Sequence, residues 1–71
     1  MTLDDLVKDG ILDVKRNYGM PEEQATAKYQ EINAHLRSVQ PDRSDSFYTL
    51  ASLARLHNYA RAWQTNGGWE G

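Results

Sequence analysis

Residues 46–64, SFYTLASLARLHNYARAWQ, constrain the fold more than any other stretch, because they are apolar on more sides than one neighbouring surface could cover. Four of the seven aromatic residues of the chain lie there. Leu50, Leu53, Leu56, His57, Ala60 and Trp63 fall on one broad stripe at the α-helical repeat of about 100° per residue. Phe47, Ala51 and Ala54 form a second apolar strip, offset from the first and confined to the early turns. Arg55, Asn58 and Arg61 run along the remaining polar surface, flanked by Tyr48 and Tyr59. Such a helix belongs at the centre of a small bundle, touching two neighbours. The sharper alternative puts one side on its own core and the other on another protein.

The preceding residues supply the two neighbours. Leu3, Leu6, Val7, Gly10, Ile11, Val14 and Tyr18 share one helical face, and Asp4, Asp5, Lys8, Asp9, Asp13, Lys15 and Arg16 occupy the other. Thr2 is the expected N-cap, with Asp4 and Asp5 in the first turn where the helix dipole favours them. Asp4 and Lys8 have the spacing of an i,i+4 ion pair. Gly10, on the buried face, predicts a close approach by another helix, and Leu12 points to solvent. Gly19 suits the left-handed residue after a helix, Met20 can fold back on the apolar face, and Pro21 suits the first turn of the next helix. Ala25, Tyr29, Ile32, Leu36 and Val39 form the second stripe, opposite Lys28, Gln30, Glu31, Asn33, His35 and Arg37. Gln40-Pro41 ends that helix, because the residue before proline avoids the α region. Asp42-Arg43-Ser44-Asp45 is a polar turn, with Ser44 or Asp45 as the next N-cap. The expected fold is therefore all-α, a compact three-helix bundle over residues 1–71. Its helices run at about 3–18, 21–39 and 45–65, followed by a short Gly-rich tail.

Composition then excludes function classes. With no cysteine, neither a disulfide nor a thiolate metal site is available. The longest uninterrupted apolar run is two residues, so nothing spans a membrane, and the acidic start predicts no signal peptide and a cytoplasmic location. A net charge of −2 disfavours nucleic acid as a partner. Residues 1–45 carry six basic against nine acidic side chains, whereas residues 46–71 carry Arg55 and Arg61 against Glu70.

Candidate chemistry is sparse. Glu31 and His35 are four apart on one helix face, a spacing that reads as an exposed ion pair, since two ligands are too few for a metal. His57, inside the leucine stripe, reads as a buried histidine with one backbone or Tyr partner. No nucleophile triad, phosphate loop or paired-carboxylate motif is present, so no catalytic residue, metal, cofactor or small-molecule substrate is expected. Aromatic and arginine side chains are the usual anchors of protein interfaces. Tyr48, Arg55, Asn58, Tyr59, Arg61, Trp63 and Trp69 are accordingly the candidate partner-binding residues. Trp69, in the Gly-rich tail, either plugs the bundle end or docks on a partner. The expected function is non-enzymatic protein binding, as a small regulator or inhibitor of a larger protein or complex, of the kind phage and mobile elements use against host defence. Self-association as a homodimer is included. The alternatives are a helix-turn-helix-like DNA-binding regulator, with Arg55, Asn58 and Arg61 reading bases, and a structural subunit of a larger assembly.

Overall fold

The computed structural model describes residues 2–66. They form three helices: α1 over Leu3–Tyr18, α2 over Glu22–Val39 and α3 over Asp45–Thr65. Each helix packs against both others, giving the expected three-helix bundle. Trp69 lies outside the described residues.

Local signals set the helix ends. Thr2 and Asp5 form a capping box: Asp5 N donates to Thr2 Oγ1 at 3.2 Å, and Thr2 N donates to Asp5 Oδ2 at 3.3 Å. Gly19 takes φ 73°, which a side chain would oppose, and its N–H donates to the Lys15 carbonyl at 2.9 Å. Met20 then folds back and is fully buried. Pro21 stands one residue earlier than expected, at the N-cap of α2, where its fixed φ still suits the entry and its carbonyl accepts from Ala25 N. Ser44 caps α3, its Oγ accepting from Phe47 N at 3.0 Å, which decides between the two candidates.

The core is built from Ile11 and Val14 of α1, Met20, Ala25 and Tyr29 of the second segment, and Leu56 and Ala60 of α3. Gly10 lies against Leu53 of α3. A Cβ built on it would lie 2.5 Å from Leu53 Cδ2, well inside contact distance, so a side chain at position 10 would force the Leu53 side chain to shift. Leu12 is exposed, as its place on the wheel predicts.

Two positions differ from the periodicity. Leu50, expected in the buried stripe, is 58% exposed, and Val39, at the end of α2, is 54% exposed. The buried side of α3 is instead Tyr48, Thr49, Ser52, Leu56 and Ala60. Relative to the leucine stripe, the helix is turned by about 60° at 100° per residue. The cause lies on α2. Ser52 is fully buried, and its Oγ accepts from Asn33 Nδ2 at 3.2 Å. Arg37 lies over the Tyr48 ring at 4.5 Å, while its Nε donates to Asn33 Oδ1 at 2.8 Å and its Nη2 to Asp45 Oδ1 at 3.3 Å. Turning Leu50 inward would expel Tyr48 and Ser52, and an aromatic ring buries more area than a leucine. The expected Asp4–Lys8 pair is not formed. The ion pairs among the described residues are Lys28–Glu31 and Arg37–Asp45. Asp4 and Lys8 are both exposed, where an i,i+4 pair contributes only about 0.2–0.5 kcal/mol.

Candidate functional site

An open groove of about 580 Å³ runs between α2 and α3. Lys28, Glu31, Ile32 and His35 line it from α2, and Arg55, Asn58 and Tyr59 line it from α3. Both sets follow helical spacing, so each occupies one face of its helix, and bundle packing sets the two faces side by side. Ile32 and Tyr59 form the floor, half-buried and packed against the core. His35, Arg55 and Asn58 stand exposed at the rim.

The electrostatics of the groove are uneven. Lys28 Nζ donates to Glu31 Oε2 at 3.0 Å and lies 4.5 Å from the centroid of the Tyr59 ring. One lysine thereby pairs with the groove's only carboxylate among the described residues and clamps α2 onto α3. Its side chain is 24% exposed, so its methylene stem covers apolar surface while the ammonium reaches the rim. Arg55 has no ion pair or hydrogen bond from its side chain among the described residues. The groove therefore presents one uncompensated guanidinium beside an apolar floor. A second cleft, of about 320 Å³ between Leu3, Val7, Tyr29 and Thr49, differs in kind, because its Arg37 and Asn33 are already engaged with Asp45 and Ser52.

Of the expected partner-binding residues among those described, the fold brings Arg55, Asn58 and Tyr59 together and sets Tyr48, Arg61 and Trp63 apart from them. Tyr48 is 4% exposed and serves the fold. Its Oη donates to the Gln40 carbonyl at 2.7 Å and accepts from Arg43 N at 3.2 Å, tying the α2–α3 loop to the start of α3. Trp63 is half-buried against the core, and Arg61 is exposed on another part of α3. Residues three apart on a helix drift by about 60° each time, so Arg55, Asn58 and Arg61 spread across the surface instead of forming one row.

The groove residues on α2 are the ones that the spacing alone misassigned. Glu31 bonds to Lys28, three residues earlier, in place of the expected pair with His35, because Lys28 is already positioned over Tyr59. The only available signal was that Lys28, Glu31 and His35 share one wet face. His57 is half-buried and meets Tyr18 edge-on, ring centroids 6.2 Å apart at 72°, so the expected tyrosine partner takes the form of a ring contact. Among the described residues, no group of three or more His, Asp or Glu side chains is placed to hold a metal ion, and no helix is long and apolar enough to cross a membrane.

The arrangement defines a three-helix bundle with an amphipathic groove between two of its helices. Comparison with protein families, with curated proteins and with solved structures finds no match.

Proposed function

We propose that this protein is a non-enzymatic protein-binding module, a regulator or inhibitor of a larger protein or complex, which engages its partner through the α2/α3 groove. The observation that carries the reading is the pairing of a half-buried apolar floor, Ile32 and Tyr59, with an exposed polar rim that holds an unpaired arginine. An apolar centre inside a polar rim is the usual anatomy of a protein interface, and tyrosine and arginine are its most frequent energetic anchors. The groove is open along its length, so it suits a segment of a macromolecule better than a small molecule, which needs most of its surface enclosed.

The test uses three tagged proteins in parallel: the parent, Asn58→Tyr and Leu12→Lys. Asn58 is exposed at the rim, so a tyrosine there blocks the groove without disturbing the core. Leu12 is exposed on α1 and is not part of the groove lining. A protein retained by the parent and by Leu12→Lys, but lost with Asn58→Tyr, supports the reading. Equal retention by all three places the partner surface elsewhere and refutes it. Light scattering on the parent separates a second copy of this chain from a different partner.

A further inference from the structure

We propose that the α2/α3 groove receives an acidic segment of a partner protein, seating an apolar side chain on Ile32 and Tyr59 and a carboxylate on Arg55. The inference rests on the protein-binding reading above and adds the chemistry of what is bound.

Charge complementarity carries it. Among the described residues, the lining holds one acidic and two basic side chains besides His35: Glu31, Lys28 and Arg55. The Lys28–Glu31 contact at 3.0 Å cancels two of them, leaving the Arg55 guanidinium with no counter-charge among the described residues. Arginine presents a planar fork of donors that matches a carboxylate bidentately, and such charge-assisted bonds are about twice as strong as neutral ones. Asn58, one turn further along α3, and His35, across the groove, add donors that a second carboxylate or a backbone carbonyl can meet. A basic segment finds the opposite situation, since the one groove carboxylate among the described residues is already held by Lys28.

The dimensions select the length of segment. Residues 28–35 of α2 span about 10 Å at 1.5 Å per residue. That matches two turns of a helix or three extended residues, enough for one apolar anchor and one or two flanking carboxylates. Phosphates of a nucleic acid would also meet Arg55. Such partners draw their affinity from many cations at once, and here the groove holds one unpaired cation among the described residues, on a chain of net charge −2.

The experiment pans a displayed library of random dodecapeptides against the folded parent protein. Selected peptides are synthesised and titrated into ¹⁵N-labelled protein. The expected result is enrichment of Asp or Glu beside an aliphatic or aromatic residue, with the largest shifts at Ile32, Arg55 and Asn58. Arg55→Glu should weaken these peptides about tenfold or more and favour twins carrying Lys in place of the acids. Arg55 is exposed, so the variant's spectrum should overlay the parent's away from the groove, and Arg55→Gln repeats the test without charge reversal. Peptides that seat in the groove without acidic preference, or that ignore both Arg55 variants, overturn the inference while the protein-binding reading stands. A selection with no groove binder overturns both. A mixed-sequence 20-mer oligonucleotide that binds the groove with steep salt dependence overturns the inference in favour of nucleic acid.

Discussion

Removing the Tyr48 hydroxyl, as Tyr48→Phe, isolates the bonds by which Tyr48 ties the α2–α3 loop. The ring stays, so its burial, its edge contact with Phe47 at 5.7 Å and the Arg37 guanidinium 4.5 Å away are retained. Two hydrogen bonds are lost: the 2.7 Å bond to the Gln40 carbonyl and the 3.2 Å bond from Arg43 N. Each intramolecular hydrogen bond contributes about 0.5–1.5 kcal/mol net. Gln40 is half-buried and Arg43 exposed, so water replaces part of what is lost, and the lower end of the range applies to both. The expected cost is about 1 kcal/mol, against a total stability on the order of a few kcal/mol for a domain of this size. For a domain of 60–100 residues that corresponds to a fall in Tm of about 4–8 °C. The urea midpoint should fall by about 0.5–1 M at unchanged slope. Thermal and urea melts followed by circular dichroism read both. A Tm within about 1 °C of the parent would show that the hydroxyl does not hold the loop. A loss above about 3 kcal/mol would show that the ring itself had moved. Because Tyr48 is not part of the groove, partner binding by the folded variant should equal the parent's.

Leu56 is fully buried, so Leu56→Ala should cost about 2–5 kcal/mol and leave the chain largely unfolded at 37 °C, whereas Leu50→Ala, at a position 58% exposed, should change stability by under about 0.5 kcal/mol. Equal melts would show that α3 is not turned as described. Lys28→Ala removes the contact with Tyr59 and the bond to Glu31, and should cost about 0.5–1 kcal/mol at low salt. Since the Glu31 side chain is 71% exposed, raising the salt to 1 M should narrow the gap between Lys28→Ala and the parent, and a gap that widens would contradict the clamp. Gly10→Val should cost about 1–3 kcal/mol by overpacking against Leu53, and Leu53→Ala in the same chain should recover part of it, so strictly additive losses in the double variant would refute the close approach.

Helix boundaries were legible because their causes act within a few residues. Thr2 with Asp5, Gly19 and Ser44 each satisfy or release backbone groups of their own chain end, and no distant part of the molecule is needed to read them. The amphipathic face of α1 was legible for a related reason. Its polar and apolar residues separate cleanly, so only one orientation buries Ile11 and Val14. Gly10 showed that a helix approaches there, although the partner, Leu53, had to be found in three dimensions.

Two matters were decided only by tertiary structure. The first is the rotation of α3. Its apolar residues surround much of the helix, so several rotations bury similar area, and the leucines alone favoured a face turned by about 60° from the one the protein buries. Polar partners on α2 broke the tie: Asn33 satisfies buried Ser52, and Arg37 lies over Tyr48. A buried hydroxyl without a partner is costly, so the bond from Asn33 favours the inward placement of Ser52. The second is the groove. Arg55, Asn58 and Tyr59 were singled out by residue type, but Lys28, Glu31, Ile32 and His35 lie at least twenty positions earlier in the chain and become their neighbours only when α2 packs on α3. Helical periodicity determines which residues share a face. Which faces meet depends on the summed packing and hydrogen bonding of all three helices, a quantity that no single segment contains.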